Sequence, residues 1–246
     1  MKKKESIRPS GRKNNEIRKI KIKPNYIKNA DGSCLISLGD TSVICTASIE
    51  KNIPSWLKGS GHGWLTAEYS MLPGATHERN ERESIKGKLG GRTQEIQRLI
   101  GRSLRASINL QNIGEKQIKI DCDVINADGG TRTASITGAW VALKIAIDSF
   151  LRSGFIQSDP IIDQIAAISC GIYKGKEIID LDYKEDNYAD TDANFVFTKS
   201  KQIIEIQATA EKQPMNKNQI EKMINMATTD TKNIFLIQNK CIKNEK

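Results

Sequence analysis

The stretch from residue 118 to residue 139, IKIDCDVINADGGTRTASITGA, contains the two periodicities that decide the fold. From Ile118 to Val124 apolar and charged residues alternate strictly, a pattern that predicts a half-buried β-strand. After Asp128-Gly129-Gly130 the periodicity changes, and small residues that permit close packing predict a helix over about 133–151. Because a strand that leads into a helix is a typical unit of mixed folds, this stretch indicates an α/β protein.

Similar signals on both sides extend this pattern over the chain. Before the stretch, a β-hairpin is predicted at 33–49, with its turn at Gly39–Ser42, and an amphipathic helix at 93–110. Residues 54–91 mostly lack periodicity and read as long irregular connections. The later elements are predicted as strands at 164–173, 177–183, 194–199 and 202–210 and helices at about 216–227 and 231–242. No linker rich in Pro, Gly and Ser separates the two halves, so a single α/β domain is expected.

Length and composition set limits on the class of protein. The 246 residues, 38% of them hydrophobic, are enough for one large domain or two small ones. No run approaches the roughly 20 apolar residues that span a bilayer, and the chain begins with polar sequence, so no membrane association and a cytoplasmic location are expected. The five cysteines are scattered and odd in number, which predicts reduced thiols that lie mostly in the core.

The positive charge is concentrated at the N-terminus. Of the 38 Lys and Arg residues, ten lie within residues 1–23, against only Glu5 and Glu16, so that the rest of the chain is nearly neutral despite a net charge of +9. Such an arm can bind nucleic acid by neutralising phosphates, but a solvated basic tail has the same composition. The charge balance alone leaves both interpretations open.

Two short segments share a design that suits an anion. Gly90-Gly91-Arg92-Thr93 and Gly129-Gly130-Thr131-Arg132-Thr133 each place paired glycines and an arginine immediately before a predicted helix. Glycines let the backbone approach a ligand closely, the first turn of a helix offers free N–H groups, and arginine adds paired donors for phosphate oxygens. Either segment alone is more typical of a turn, but together they predict a shared phosphate site.

Charged residues form two further clusters whose role the pattern leaves open. Six carboxylates between Asp180 and Asp192 suit Mg²⁺, which prefers oxygen ligands, yet they also suit a solvated turn. Basic residues exceed acidic ones between Arg79 and Arg105, which suits either phosphate recognition or an ordinary charged helix face.

Several motifs match one known family in order and spacing. They are Arg8–Arg12, Gly39–Thr41, Cys45–Ser48, Trp56–Gly59, Gly63–Tyr69, Met71–Pro73, Lys86–Lys88, Gly90–Ile100, Asp121–Val124 and Asp128–Ala139. Over roughly residues 7–240 the chain resembles the ribonuclease PH family, and matching runs of this length are highly specific.

The resemblance implies a fold and an assembly. The fold is the ribosomal protein S5 domain 2-like α/β (α+β) fold, with mixed sheets packed with helices, which polynucleotide phosphorylase and the exosome ring subunits share. It implies a single domain at 7–242 behind a basic N-terminal extension at 1–6, the order of which the sequence leaves open. It also implies a homohexameric ring, built as a trimer of dimers.

The resemblance implies an activity as well. Members of the family are phosphate-dependent nucleotidyltransferases that remove 3′-terminal nucleotides from precursor tRNA. Inorganic phosphate attacks the last phosphodiester and a nucleoside 5′-diphosphate is released. Because a phosphoester is exchanged for a phosphoanhydride, the reaction is expected to run in both directions.

Site residues follow by the same similarity. Arg92, Gly130, Thr131 and Arg132 match the residues that bind inorganic phosphate, in agreement with the two-glycine argument above. Asp186 and Asp192 match the pair that binds Mg²⁺, and together with Arg92 and Arg132 they form the implied catalytic set. The chemistry permits one of these carboxylates to protonate the leaving 3′-oxygen, and the sequence leaves open which one.

The chain departs from the family in the loop that is expected to contact tRNA. A basic residue commonly follows the Pro of that loop, whereas this chain has Gly74 and keeps only Arg79 and Arg82 as candidate RNA contacts. Two other functions are weighed against the implied one: a non-catalytic RNA-binding ring subunit and a hydrolytic nuclease. The presence of the full implied catalytic set argues against the first, and the identity of the product, diphosphate or monophosphate, would distinguish the second.

Overall fold

A computed structural model describes residues 8–243 of the protein, so the predicted extension at residues 1–6 lies outside it. The strands are β1 (Ile20–Pro24), β2 (Gly32–Leu38), β3 (Thr41–Glu50), β4 (Trp64–Met71), β5 (Gln117–Asn126), β6 (Ile165–Tyr173), β7 (Lys176–Ile179), β8 (Thr191–Thr198) and β9 (Ile203–Ala210). The α-helices are α1 (Glu83–Lys86), α2 (Gly91–Arg105), α3 (Leu110–Ile113), α4 (Thr131–Arg152), α5 (Tyr183–Asp186) and α6 (Lys217–Lys243). The predicted mixed α/β fold is confirmed.

The first sheet has the strand order β1-β2-β3-β5-β4. Its strands pair antiparallel except β4 and β5, which run parallel. The predicted hairpin is confirmed as β2 and β3, and its turn is tighter than expected because only Gly39 and Asp40 separate the strands. Gly39 makes this turn with φ of 58°, a conformation that glycine adopts at little cost.

The second sheet is antiparallel throughout, in the order β7-β6-β8-β9. Strand β6 is buried along its whole length, and β8 is buried except at Asp192, where the side chain is half-buried. Asp192 therefore lies at the one position of β8 that is open to solvent.

Helix α4 is the centre of the core. It packs against β2, β3 and β5 of the first sheet and against β6 of the second. Gly138 permits this close packing, since a Cβ there would lie 2.7 Å from both Cys45 Sγ and Ile36 Cγ2. By length and hydropathy α4 could span a bilayer, but 72% of its most apolar window is buried inside the protein, as expected of a central core helix.

All five cysteines are buried, as predicted for thiols that lie mostly in the core. Cys34, Cys45 and Cys122 lie opposite one another on β2, β3 and β5, beneath α4. Burial raises the pKa of the Cys45 thiol well above its usual value, and hydrogen bonds with the two neighbouring thiols add to this. These thiols therefore behave as apolar core groups.

Several observed elements differ from the predicted ones. Strand β4 lies within residues 54–91, which were expected to be irregular. The helix predicted at 93–110 ends at Arg105, and α3 follows as a separate turn. The strand predicted at 177–183 is shorter than expected: it ends at Ile179, and α5 begins at Tyr183.

The two helices predicted after residue 216 form the single helix α6. The break was expected near residues 228–230, where threonine and aspartate disfavour helix interiors. Instead, the hydroxyls of Thr228 and Thr229 donate to the carbonyls of Ile224 and Asn225, one turn earlier, at 2.7 and 2.8 Å. These bonds satisfy the hydroxyls without interrupting the helix.

Candidate active site

A cleft of about 1170 Å³ opens where the N-termini of α2 and α4 meet strand β4 and the segment that contains α5. The predicted site residues that line it are Arg82, Arg92, Gly130, Thr131, Arg132, Asp186 and Asp192. Arg79 is exposed and lies outside the lining. The fold thus brings together Arg92 and Asp192, which are 100 positions apart in the chain. It also places the two glycine-arginine segments on the same cleft, as their shared design predicts.

The second glycine pair shapes the start of α4. Gly129 and Gly130 both have left-handed backbones, with φ of 74° and 67°. A Cβ on Gly129 would lie 2.6 Å from the carbonyl oxygen of Leu181, so glycine is required there by space as well as by conformation. The hydroxyl of Thr41 holds this turn by donating to the Gly129 carbonyl at 2.7 Å. The first N–H groups of α4 are thereby directed at the cleft.

The first glycine pair starts α2 in a different way. Gly90 is the N-cap, with extended backbone, and the carboxylate of Glu83 accepts hydrogen bonds from the Gly90 N–H at 3.1 Å and from the Thr93 hydroxyl at 2.7 Å. Glu83 thus fixes the loop that leads into α2. Two helix N-termini, each with a partial positive charge, therefore border one cleft.

The two arginines of these segments differ in how they are held. Arg132 donates to Gln207 Oε1 at 2.7 Å, and Gln207 in turn donates to Glu95, so that β9 fixes the guanidinium. Arg92 is exposed, and no residue of the described range forms a hydrogen bond or ion pair with its side chain. The cleft therefore contains a guanidinium whose donors have no partner among residues 8–243.

The two carboxylates that match the metal-binding pair, Asp186 and Asp192, have raised pKa values. Lost hydration is the main cause for Asp186; the charges of Arg92 and Arg132 oppose it and Glu211 adds to it. Lost hydration is also the main cause for Asp192, where the nearby charge of Asp186 raises the pKa further, while both arginines oppose the rise. Asp186 is exposed to the cleft, so its carboxylate loses water because the walls of the cleft surround it and not because the side chain is fully buried. A cation between such a pair would stabilise both carboxylates in the charged form.

Three further carboxylates of the acidic segment, Asp180, Asp182 and Glu185, do not line the cleft. They form an ion network with three arginines of the N-terminal arm, here called the closed ion cluster. Its members are Arg8, Arg12, Arg18, Asp180, Asp182 and Glu185. For these six residues the solvated-tail interpretation of the arm and the solvated-turn interpretation of the acidic segment are wrong, while Lys2, Lys3 and Lys4 of the arm lie outside the described residues.

The contacts of the closed ion cluster are short and buried. Arg8 forms two bonds of 2.7 Å with Glu185, and both side chains are fully buried. Arg18 binds Asp180 at 2.7 Å and also donates to the backbone carbonyls of Asp128 and Gly129. The cluster consequently connects the turn before α4 to the segment before α5.

The basic residues between Arg79 and Arg105 also separate into two groups. Arg102 pairs with Glu205 on β9 at 2.6 Å, and Lys86 pairs with Glu81 at 2.8 Å. Arg105 donates to the Leu65 carbonyl and lies over the ring of Trp64, 4.9 Å from its centre. The contacts of Arg102 and Arg105 serve the fold, whereas Lys86 lines the cleft, so the cluster is only in part a phosphate surface.

Sequence reasoning missed Tyr69, Asn194 and Gln207. Tyr69 donates from its hydroxyl to Thr131 Oγ1 at 2.9 Å, and the amide of Asn194 lies 3.4 Å from Asp192. Gln207 holds Arg132, as described above. The alternation of buried Leu65, Ala67 and Tyr69 along β4 was a signal that could have identified that strand and placed Tyr69 on its inner face.

Comparisons with known proteins agree with this geometry. The chain matches the 3′ exoribonuclease family, domain 1, over residues 16–147 and domain 2 of the same family over residues 163–229. It is 55% identical to the ribonuclease PH of Cereibacter sphaeroides over 221 residues, which are 90% of this chain and 93% of that protein. The chain belongs to the ribonuclease PH family.

Solved structures show the same fold at low sequence identity. Rice (Oryza sativa) Rrp46 matches with a TM-score of 0.77 and 19% identity, over 94% of this chain and 98% of that one. A chain of the Archaeoglobus fulgidus exosome with RNA bound to the active site matches with a TM-score of 0.75 and 20% identity, over 97% and 92% of the two chains. The ribonuclease PH fold, with two sheets and a central helix, is thus common to all three.

Proposed function

We propose that the cleft removes nucleotides from RNA 3′ ends by phosphorolysis, with precursor tRNA as the substrate, and releases nucleoside 5′-diphosphates. Phosphate as co-substrate and RNA as substrate follow from membership of the ribonuclease PH family. The observation that carries the proposal for this chain is the meeting of two glycine-started helices and two arginines with two carboxylates in one cleft. Because the bonds exchanged are similar in energy, the same site adds nucleotides when diphosphates are abundant.

Inorganic phosphate is assigned to the side of the cleft formed by α2 and α4. Arg92 and Arg132 supply guanidinium donors, and Gly130 and Thr131 bring the first N–H groups of α4 and one hydroxyl close to the anion. The absence of a hydrogen bond or ion pair to the Arg92 side chain among residues 8–243 supports this assignment, since its donors are available for a ligand. Held in this way, a phosphate oxygen is oriented towards the phosphorus of the last phosphodiester.

Mg²⁺ is assigned to Asp186 and Asp192. The pair fits the ion because both carboxylates line the cleft, both have raised pKa values, and neither forms a salt bridge with a residue in the range 8–243. Over the same residues no group of three or more potential metal ligands occurs, which suits an ion that keeps most of its shell as water and substrate phosphate. When bound, Mg²⁺ would stabilise negative charge on the scissile phosphate.

The RNA is assigned to the rim of the cleft. Arg82 lines it, and Arg79 lies in the same exposed connection between β4 and α1. Both side chains can neutralise phosphates without reading bases. The proposal also includes one domain over residues 7–242, a homohexameric ring built as a trimer of dimers, and a cytoplasmic location.

An assay of the products tests the proposal. A tRNA with a short 3′ extension is incubated with the protein and Mg²⁺, with and without radiolabelled inorganic phosphate, and the products are separated by chromatography. We expect nucleoside 5′-diphosphates that contain the label, and only when phosphate is present. Unlabelled monophosphates formed without phosphate would instead identify a hydrolytic nuclease, and binding without degradation would identify a non-catalytic ring subunit.

A further inference from the structure

The side chain of Tyr69 connects β4 to the first residue of α4. Tyr69 is 5% exposed, lies on the inner face of β4 and lines the cleft. Its hydroxyl donates to Thr131 Oγ1 at 2.9 Å, and Thr131 is itself only 8% exposed. The phenol of Tyr69 is therefore placed directly behind a residue to which phosphate is assigned.

The hydrogen bond runs from the Tyr69 hydroxyl to the Thr131 oxygen. Burial raises the pKa of the Tyr69 hydroxyl, and this outweighs the opposing effects of the Thr131 contact and of the charges of Arg92 and Arg132. The phenol therefore stays protonated and is available as the donor. The Thr131 oxygen then acts as the acceptor, which leaves its own proton to be donated elsewhere.

Within the part of the chain that the structure describes, the proton of Thr131 has no acceptor. Among residues 8–243 the only hydrogen bond to its hydroxyl is the one from Tyr69. A threonine in a helix often donates to the carbonyl three or four residues earlier, but Thr131 forms no such hydrogen bond with another described residue. A buried donor without a partner, on the wall of a cleft, points to a ligand that accepts hydrogen bonds.

We propose that Tyr69 is a positioning residue for inorganic phosphate: its hydroxyl fixes the Thr131 oxygen as an acceptor and thereby directs the Thr131 proton towards a phosphate oxygen. The inference rests on the proposed function of the cleft and adds a residue to it. A free threonine hydroxyl can turn its lone pairs towards an anion, which is repulsive, whereas a hydroxyl held by Tyr69 presents a donor.

The Tyr69→Phe variant tests the inference, because it removes one oxygen and keeps the ring. We expect the KM for phosphate to rise roughly three- to tenfold, the range that one hydrogen bond represents. The kcat at saturating phosphate and the KM for RNA are expected to stay unchanged. Tyr173→Phe is the matched control, since Tyr173 is also 5% exposed but does not line the cleft. An unchanged KM for phosphate in Tyr69→Phe would overturn the inference.

A double-mutant cycle tests whether Tyr69 acts through Thr131. Thr131→Val also raises the KM for phosphate, and in this background Tyr69→Phe should have no further effect. The double variant pairs two apolar groups in place of two hydroxyls, so it should fold even if Tyr69→Phe loses stability. Additive effects of the two changes would show that Tyr69 acts by another route and would overturn the inference.

Calorimetric titration of the full chain with phosphate alone separates this inference from the proposed function. Weaker phosphate binding in Tyr69→Phe than in the unaltered protein, by the same factor as the change in KM, supports the inference without any turnover. If the unaltered protein bound no phosphate, both the inference and the proposed function would fail. If it bound phosphate and Tyr69→Phe bound it equally well, only the inference would fail.

Discussion

The closed ion cluster and the cleft are built from the same residue types, and the segment 180–192 contributes carboxylates to both. In the closed ion cluster the guanidinium and carboxylate groups meet at 2.7–3.2 Å, and most are nearly inaccessible to solvent. In the cleft, by contrast, Arg92 and Asp186 have no side-chain partner among residues 8–243. The two regions therefore differ in whether the fold pairs their charged side chains, and not in the residue types that they contain.

This comparison indicates what each group of charges does. Buried charges that are fully paired hold segments together, and removing one partner exposes the cost of burying the other. Carboxylates that face an open cleft without ion-pair partners have raised pKa values, mainly because they lose hydration, and they are available to ligands. The closed ion cluster is therefore expected to determine stability, and the cleft is expected to determine activity.

Arginine variants of the cleft should have the largest effect. We expect Arg92→Ala and Arg132→Ala each to lower kcat/KM about 100- to 1000-fold, since each removes a donor aimed at developing charge. The melting temperature and tRNA binding should change little. Steady-state kinetics and filter binding measure these quantities.

Arg98→Ala is the matched control, because Arg98 is exposed on α2 but does not line the cleft. It should keep normal activity. If Arg92→Ala or Arg132→Ala bound tRNA far more weakly yet kept normal turnover at saturating RNA, the assignment of phosphate would be wrong.

Glu185→Gln should have the opposite effect: it should lower stability and leave activity intact. Losing the bidentate bond between Glu185 and Arg8 should lower the free energy of unfolding by about 3 kcal/mol. Glutamine can still complete the capping box of α5, so activity below the melting temperature should remain. Denaturant unfolding measures the loss, and Glu221→Gln, which breaks an exposed pair, should cost less than about 1 kcal/mol.

The effect of Glu185→Gln should depend on pH. Burial alone would raise the pKa of Glu185, but hydrogen bonds from Arg8 and the Asp182 N–H, with the charges of Arg8 and Arg12, lower it below the usual 4.5. A lowered pKa in the folded state stabilises the protein fully above the unfolded value and less as pH falls through the folded value. The difference between the two proteins should thus be constant near neutral pH and shrink in acid. A difference that grew in acid would contradict this assignment.

Asp192→Asn should remove activity without loss of stability. We expect a fall in kcat of about a hundredfold, because one ligand of the assigned Mg²⁺ is lost. The melting temperature in the absence of metal should stay the same or rise slightly, since neutralising Asp192 relieves its repulsion with Asp186. Full activity at ordinary Mg²⁺ concentrations, or a clear fall in the melting temperature, would contradict the assignment.

The sequence predicted the parts of the site that depend on local chemistry. The strict alternation of β5 and the glycine pair at 129–130 were sufficient to predict the strand, the turn and α4. Strand β4 was missed because polar residues and glycines surround its short alternation. Helix α6 was divided because its central threonines disfavour helices until their hydroxyls find carbonyls one turn away.

The division of the acidic segment could not be predicted in the same way. Glu185 is paired with Arg8, 177 residues away in the chain, and Asp180 with Arg18, 162 residues away. Only the tertiary fold determines which carboxylates meet these arginines and which remain in the cleft. The family resemblance identified Asp186 and Asp192 within the segment. The structure shows why Asp180, Asp182 and Glu185 differ from them, since these three are paired with arginines.

The smallest effect is expected at Gly74, where an arginine would add a positive charge to the exposed turn after β4. Gly74 lies in the turn Pro73–Ala75, is exposed, is not among the glycines with positive φ, and has no atom within 4 Å of a Cβ built on it. A larger side chain should therefore cause no strain, and Gly74→Arg should bind tRNA a few-fold more tightly. Activity on a short single-stranded RNA, which need not reach this turn, should stay the same.

The salt dependence of binding shows whether Gly74→Arg gains a phosphate contact. Each contact releases condensed counterions, so the slope of log affinity against log salt should steepen by roughly 0.7–0.9. Filter binding at several salt concentrations measures the slope, and Gly74→Gln, of similar length but neutral, should leave it unchanged. Since the backbone accepts either residue, weaker binding by Gly74→Arg cannot be attributed to strain. An unchanged slope, or weaker binding at every salt concentration, would mean that the turn after β4 does not face the RNA, and the unpaired charges of the cleft would then have to position the RNA end without help from this rim.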